Sequence, residues 1–221
     1  MIRSRKHGFF IIEVPKTGTV SLHNALSDYN DIDTDLPRHL GARRARRLMP
    51  EDWRNLRTYA VIREPYSWLT SYYNFLNDQE EKGKTDRPVA GVSFEEFVNA
   101  TAEEKLGGPK TPWFKVGSQS DRVCHPKKGK LIVNKLLCFD FLSDEFNRFQ
   151  VRHFDSKELK LERLNATKRP KVEINEELRS FVEEHWANDL SLWKRAYEQA
   201  ERKQQRRLEN QAKKKSIKSA A

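Results

Sequence analysis

A short apolar run that stops at a proline most strongly constrains how this chain can fold. Residues 9–14 read Phe-Phe-Ile-Ile-Glu-Val, and Pro-Lys-Thr-Gly-Thr follows at 15–19. Apolar runs of this length are typical of buried strands, and the sequence after the turn predicts a helix over 21–29. The free N–H groups of that helix start, together with Lys16, predict a site for an anion such as phosphate or sulfate.

The same order of strand, turn and helix returns further along the chain. Residues 59–62, Tyr-Ala-Val-Ile, form a second apolar run that ends at Arg63. Pro65 suits the first turn of a helix, and apolar residues continue at helical spacing over 68–76. Because ligands bind at the carboxyl ends of the strands in an open parallel sheet, we expect Lys16 and Arg63 to lie at one edge.

The rest of the pattern predicts one α/β domain with a central, mostly parallel sheet flanked by helices. Further helices are predicted over 40–48, from a capping box at Ser93, from Ser143 and, as one long C-terminal helix, from an N-cap at Asn175. A further strand is predicted within 131–139, and surface loops over 77–92 and 101–129. We place the domain at residues 1–197 and a basic, helical or disordered tail at 198–221.

The positive charge of the chain is concentrated at its C-terminal end. Ten Lys or Arg and three Glu lie from Lys194 onwards, so this end holds +7 of the formal net charge of +10 in 221 residues. A nucleic-acid-binding function would therefore depend mainly on the tail, whereas a tail of this kind is usually solvated or an interaction arm.

Compartment and cofactor classes are also limited by composition. No apolar run approaches the ~18 residues of a membrane span, and the N-terminus does not resemble a signal peptide, so we expect a cytoplasmic protein. The two cysteines, Cys124 and Cys138, favour free thiols. No Cys/His spacing predicts a metal site.

A cluster of arginines lies between the two strand ends. The predicted helix over 40–48 carries Arg43, Arg44, Arg46 and Arg47. Two interpretations stay open: a solvated helix face, or a basic wall that faces an anionic ligand.

The turn at Lys16 differs from a nucleotide-hydrolysing phosphate loop. That loop requires Gly-x-x-x-x-Gly-Lys-Ser/Thr, whereas Lys16 precedes Gly18 here. The difference counts against a nucleotide-dependent kinase that uses such a phosphate loop.

Residues 14–22 and 61–73 together resemble the two nucleotide motifs of sulfotransferases that use 3′-phosphoadenosine 5′-phosphosulfate (PAPS). Later segments are similar to the carbohydrate-sulfotransferase branch, which includes the heparan sulfate 2-O-sulfotransferases. These segments are Gln119-Ser120-Asp121, residues 139–146 and Leu164-Asn165-Ala166-Thr167-Lys168-Arg169-Pro170. The resemblance covers about residues 9 to 197. It implies the P-loop-NTPase-like sulfotransferase fold, PAPS as co-substrate, adenosine 3′,5′-bisphosphate (PAP) as product and no metal.

The resemblance also implies roles for individual residues. The 5′-phosphosulfate would be held by Lys16, Thr17, Gly18, Thr19, Val20 and Ser21. The 3′-phosphate would be held by Arg63 and Ser71, with Lys168 or Arg169 closing over it. At Val20 many relatives have a hydroxyl residue, so one side-chain contact is lost while the backbone N–H stays.

Sulfuryl transfer requires an aligned acceptor oxygen, a base for its proton and positive charge on the leaving phosphate. Lys16 suits the last role. His39, which lies between the two motifs as a similarly placed His does in the related carbohydrate enzymes, is our candidate base, since an ordinary imidazole has a pKa of ~6.5. A structural role for His39 stays open, and His23 and Glu13 are alternative bases.

Three hypotheses follow. The leading one is a PAPS-dependent sulfotransferase that acts on a hydroxyl acceptor, in particular a carbohydrate. Since related glycan enzymes are usually membrane-anchored, the chain is expected to be a bacterial or viral enzyme or a domain of a longer protein. The alternatives are a nucleotide-dependent kinase of related fold and a nucleic-acid-binding protein that uses the basic tail.

Overall fold

The computed structural model describes residues 1–27, 31–33, 36–84, 89–105, 116–154, 159–162, 164, 169, 172 and 175–219. The strands are β1 (Ile2–Ser4), β2 (Phe9–Ile12), β3 (Arg57–Ile62) and β4 (Lys135–Cys138). The helices are α1 (Thr19–Leu26), α2 (Ala42–Leu48), α3 (Pro50–Asn55), α4 (Pro65–Glu81), α5 (Phe94–Lys105), α6 (Ser120–Val123), α7 (Leu142–His153), α8 (Glu176–His185) and α9 (Ala187–Ser219), with a 3-10 helix at Phe139–Phe141.

The strands form one sheet in the order β1-β2-β3-β4. β1 is antiparallel to β2, with Ile2 opposite Ile11. β2, β3 and β4 are parallel, and the register places Ile12 beside Ala60 and Ile62 beside Cys138. The predicted α/β architecture with a mostly parallel central sheet is therefore confirmed for the described part of the chain.

Side chains of the parallel strands alternate between the two faces of the sheet, as the twofold period of a strand requires. One face packs against α2, α3 and α9 through Phe10, Ile12, Ala60, Ile62, Leu136 and Cys138. The other packs against α1 and α7 through Phe9, Ile11, Tyr59, Val61 and Leu137. Both faces are covered, which explains why β2 is apolar throughout and why β3 and β4 are apolar from Tyr59 and from Leu136 onwards.

The predicted element boundaries need several corrections. The predicted strand over 9–14 ends at Ile12, and α1 covers 19–26 instead of 21–29. The region predicted as a loop over 77–92 begins with helix, because α4 continues to Glu81. β1 was not predicted, since three residues with only one apolar side chain give no periodic signal.

The long helix predicted from Asn175 is two helices. Asn175 does cap the first, since its side chain accepts a hydrogen bond from the N–H of Leu178. The helix ends at His185. The next residue, Trp186, is fully buried, and its indole donates to the carbonyl oxygen of Gly117 at 3.2 Å. The break lets α8 pack with α4 and α5 while α9 runs along the sheet through Ala196 and Ala200.

The C-terminal helix remains helical well past the predicted domain boundary. Residue 197 falls within α9, which continues to Ser219. Its basic side chains contact carboxylates of α7: Arg207 bonds Asp144 at 2.8 Å, and Lys203 lies 3.8 Å from Glu145. Among the helices in the described ranges, none is long and apolar enough to cross a membrane.

Asp189 of α9 is the buried polar link between this helix and the loop before α6. Its carboxylate is fully buried and accepts hydrogen bonds from the backbone N–H groups of Gln119, at 2.7 Å, and Ser120, at 2.8 Å. Charge-assisted bonds to backbone N–H groups are among the stronger hydrogen bonds in proteins. Asp189 therefore holds the 118–120 segment against the sheet edge.

Asp189→Asn is expected to lower the free energy of unfolding by about 2 kcal/mol, because the amide NH₂ would face a backbone N–H and leave that donor unsatisfied. Urea denaturation measures the change. Glu209→Gln, at an exposed position of the same helix, is the control and should leave the midpoint unchanged. Equal stability of the two variants would contradict the role assigned to Asp189.

Candidate anion site at the strand ends

Two hydrogen bonds fix the loop after β2, one within the loop and one to α4. The hydroxyl of Thr17 donates to the carbonyl oxygen of Val14 at 2.8 Å, and the indole of Trp68 donates to that of Pro15 at 2.8 Å. Thr17 and Val14 are fully buried. The loop is thus held by one bond of its own and by one from α4.

Backbone strain is concentrated at the two residues predicted to be catalytic. Among the described non-glycine residues, only Lys16 (φ 63°) and His39 (φ 59°) have a positive φ. The left-handed region costs an L-residue roughly 1–2 kcal/mol, and such strain tends to occur at functional sites, where the surrounding structure enforces it.

Gly18 makes the turn into α1. Its φ is 81°, and a Cβ atom at this position would lie 2.7 Å from Cδ2 of Leu142 and 3.4 Å from Cε2 of Phe139. The N-cap residue, Gly18, has no side chain to cap the N-terminus of α1, and no acidic residue lies in the first turn of that helix. The first N–H groups of the helix have no partner within the helix, and within the described part of the chain they could bind an anion.

The hydroxyl residues of the loop differ in what their side chains do. The proton of Thr17 is donated to the loop itself. Ser21 is 7% exposed, and its oxygen accepts from the N–H of Leu164 at 3.1 Å. Thr19 is also buried, whereas Val20 is 39% exposed. The backbone, more than the side-chain hydroxyls, is positioned to bind an anion here.

Lys16 extends towards α4. Its Nζ lies 4.1 Å from the centroid of the Phe75 ring. Burial, and after it the positive charge of Arg63, lowers the pKa of Lys16 to about 8, although attraction to Asp78 opposes this change. Among the described residues, no carboxylate forms an ion pair with the Lys16 ammonium group.

Arg63 bends back from the end of β3 over the loop. Its Nη1 donates to the carbonyl oxygen of Lys16 at 3.2 Å, and its Nε donates to the hydroxyl of Ser67 at 3.1 Å. The guanidinium also lies 4.4 Å from the centroid of the Phe139 ring. The predicted meeting of the two strand ends is thus realised as a direct contact between Lys16 and Arg63.

Ser71 lies on the face of α4 that turns towards this contact. Residues 67, 71, 75 and 78 recur at the three- and four-residue spacing of one helix face; Ser67 bonds Arg63, and Phe75 contacts Lys16. Ser71 lies between these two positions along the helix. Arg63 also bonds Ser67, one turn before Ser71; that Ser71 and Arg63 share a 3′-phosphate stays a prediction.

The end of β3 is held by Gln119, which the sequence resemblance covered but gave no role. The side-chain oxygen of Gln119 accepts from the N–H of Arg63 at 2.9 Å, and its amide donates to the Arg63 carbonyl at 2.8 Å. Asp189 in turn holds the backbone of Gln119. A polar chain from α9 to β3 therefore fixes the direction in which Arg63 leaves the strand.

His39 lies beside the start of the loop. Burial lowers its pKa below the ordinary value, and the Arg38 and Arg122 charges act in the same direction, while Glu13 and a hydrogen bond to the Glu13 backbone oppose them. Nδ1 is buried, and no described residue hydrogen-bonds it. Arg122 donates to the carbonyl oxygen of His39 at 2.7 Å.

Glu13, one of the two alternative bases, forms ion pairs that suit a structural role. Its carboxylate is 1% exposed and pairs with the Met1 amino group at 2.5 Å and with Arg38 at 3.2 Å. Burial opposes its ionisation, but these partners outweigh burial and hold the pKa of the carboxyl below its ordinary value. The other alternative, His23, has a buried Nε2 for which no described residue supplies a hydrogen bond.

Of the two residues predicted to close over the 3′-phosphate, Lys168 and Arg169, the structure describes only Arg169. Lys168 lies outside the described residues. Arg169 donates from Nε to Asp78 at 2.7 Å and pairs through Nη2 with Glu81 at 2.5 Å. Both partners lie on α4, so Arg169 is held one turn beyond Phe75. The four arginines of α2 are all exposed.

Gly18→Ala is expected to lower the free energy of unfolding by more than the roughly 1 kcal/mol that a positive φ alone costs alanine, because the new methyl group must displace the buried Leu142. Gly91→Ala is the matched control, since Gly91 has φ 77° and nothing lies within 4 Å of its added Cβ. Urea denaturation of both variants measures the difference. Equal losses would show that the close contact with Leu142 has no energetic cost.

The strand-end site, defined here as Lys16, the first turn of α1 and Arg63, brings two cations and uncapped helix N–H groups together. The described residues contain no group of three or more side chains that could hold a metal ion. No protein-family model, curated protein or solved structure matches this chain. The functional assignment therefore depends on the geometry and chemistry of the strand-end site.

Proposed function

We propose that this protein is a PAPS-dependent sulfotransferase that acts on a hydroxyl group of a carbohydrate, with the P-loop-like sulfotransferase fold. The observation that carries the proposal is the contact between Arg63 Nη1 and the Lys16 carbonyl at 3.2 Å. The contact brings together two cationic motifs at the ends of adjacent parallel strands. A donor with phosphate groups at two positions, such as PAPS, needs two such motifs close together.

The residues of the strand-end site fit such a donor. Lys16 and Arg63 are like charges close enough to lower the pKa of Lys16, so a bound anion would relieve their repulsion. The uncapped first turn of α1 offers N–H groups to the same anion. Bound PAPS would supply the activated sulfuryl group.

Lys16 and the N–H groups of α1 would hold the 5′-phosphosulfate and stabilise negative charge on the leaving phosphate. Arg63 would hold the 3′-phosphate together with a serine of α4, either Ser67, which it already bonds, or Ser71 on the same face. Gln119 keeps the backbone of Arg63 in place during binding. Arg169, at the outer end of α4, would close over the nucleotide.

His39 would accept the proton of the acceptor hydroxyl. Because its pKa lies below the ordinary value, the ring is neutral near neutral pH and can accept a proton. The hydrogen bond to the Glu13 backbone leaves Nδ1 as the ring nitrogen without a described partner.

The alternative functions have weaker support. A kinase has no use for a 3′-phosphate site, and the turn at Lys16 lacks the required glycine-lysine order. A nucleic-acid-binding tail would need free cations, whereas Arg207 and Lys203 of α9 contact carboxylates of α7. Neither alternative explains the convergence of Lys16 and Arg63.

Calorimetric titration of the full chain with PAP, ATP and a DNA duplex tests the assignment. We expect PAP to bind in preference to ATP and DNA. Tighter binding of ATP than of PAP would contradict the proposal. A panel of oligosaccharides with labelled PAPS then identifies the acceptor.

Arg63→Ala is expected to weaken PAP by about 10- to 100-fold, the loss typical of a charged hydrogen-bond partner. Adenosine 5′-phosphate, which lacks the 3′-phosphate, is the control ligand and should lose little affinity. Parallel titrations of both ligands measure the difference. Equal losses for the two ligands would place Arg63 away from the 3′-phosphate.

His39→Ala is expected to lower turnover by about 100-fold or more and to leave PAP affinity nearly unchanged, because the ring acts on the acceptor proton. In the wild-type protein, turnover should rise with pH through a midpoint below ~6.5 as the ring loses its proton. His23→Ala is the matched variant. A loss of turnover in the His23 variant alone would move the base to His23.

A further inference from the structure

Phe75 is an aromatic residue that is unusually exposed for its size. It is 38% exposed on α4, yet its ring lies 4.1 Å from the Nζ atom of Lys16. This distance is well within the ~6 Å over which an aromatic face attracts a cation. The Phe75 ring therefore contacts the ammonium group of Lys16 in the strand-end site. Burial in the core does not explain the position of a ring that is this exposed.

Carboxylates near Lys16 are engaged elsewhere. Asp78, one turn beyond Phe75, attracts Lys16 electrostatically but accepts a hydrogen bond from Arg169 at 2.7 Å. Glu81, the next carboxylate on this face, also pairs with Arg169. Two cations therefore contact different side chains of α4: Lys16 contacts the ring of Phe75, and Arg169 pairs with Asp78 and Glu81.

An aromatic partner and a carboxylate partner have different consequences for an anion site. A carboxylate would neutralise the ammonium group and repel an incoming phosphate, so the ion pair would have to break before binding. An aromatic ring attracts the ammonium group through its quadrupole and carries no net charge. It can hold Lys16 in place without competing with the ligand.

We propose that Phe75 is the positioning residue for Lys16: its ring holds the ammonium group at the loop and leaves the positive charge available to the anion. The identity of that anion rests on the proposed function, whereas the coupling between ring and ammonium group does not. Arg169 contributes by pairing with Asp78, the carboxylate of the described chain whose charge attracts Lys16.

The electrostatic surroundings of Lys16 make the coupling measurable. The charged groups that act on Lys16 in the described chain are Arg63, which disfavours the ammonium form, and Asp78, which favours it. The ring favours the charged form as well. With the Lys16 pKa at about 8, loss of the ring should lower it further and bring the loss of charge closer to neutral pH.

Phe75→Leu tests the proposal, because leucine keeps an apolar side chain but removes the aromatic face. An NMR titration of the Lys16 side chain in the ligand-free protein is expected to show a midpoint lower than that of wild type by about half a pH unit or more. Phe75→Trp retains an aromatic face and should keep the midpoint near the wild-type value. An unchanged midpoint in the leucine variant overturns the proposal.

Binding measurements separate positioning from packing. The affinity of the wild-type protein for PAP should fall as the pH rises through about 8, because Lys16 of the ligand-free protein loses its charge there. In Phe75→Leu this fall in affinity should begin at lower pH. In a Lys16→Ala background, Phe75→Leu should change PAP affinity little. The same loss at every pH, or an equal loss in the alanine background, would show that the ring only supports packing.

Failure of the two proposals can be told apart. If wild type does not bind PAP while the Lys16 midpoint responds to Phe75→Leu, the nucleotide assignment fails and the positioning role stands. If PAP binds and the midpoint does not respond, the positioning role fails and the nucleotide assignment stands.

Discussion

Parallel pairing of β2 with β3 is the constraint on which the strand-end site depends. The register that places Ile12 beside Ala60 brings both carboxyl ends to one edge of the sheet. Lys16 and Arg63 follow these ends within a few residues, so their contact is a direct result of the pairing. An antiparallel pairing would have placed the two cations at opposite ends of the sheet.

A second layer of buried polar contacts makes this edge rigid. Asp189 holds the backbone of Gln119, and the side chain of Gln119 holds the backbone of Arg63 on both its N–H and its carbonyl. The two carboxylate oxygens of Asp189 and the amide oxygen and nitrogen of Gln119 each have a hydrogen-bond partner, as buried polar groups require. The direction of Arg63 is thus determined by a helix that begins more than a hundred residues later.

The electrostatics of the site are biased towards an anion by what surrounds each cation. Lys16 lies on the ring of Phe75, and Arg63 lies on the ring of Phe139 while it bonds backbone and hydroxyl oxygens. The nearby carboxylates pair with other groups, Asp78 with Arg169 and Glu13 with Arg38. Lys16 and Arg63 are like charges close enough for Arg63 to lower the pKa of Lys16, and a bound anion would relieve that repulsion.

Much of the fold could be predicted from the sequence, because local signals mark several elements: the apolar runs over 9–14 and 59–62, the proline at 65 and the caps at Ser93 and Asn175. Those signals also indicated Lys16 and Arg63 as neighbours. Local patterns could not show β1, the break at Trp186, or the roles of Phe75, Gln119 and Asp189, because these depend on partners far away in the chain. From the sequence we could predict that Lys16 and Arg63 follow two neighbouring strands and that an anion would suit them. The neighbours that hold each charge depend on the tertiary structure, because ring contacts and buried hydrogen bonds between distant segments form only when the elements pack.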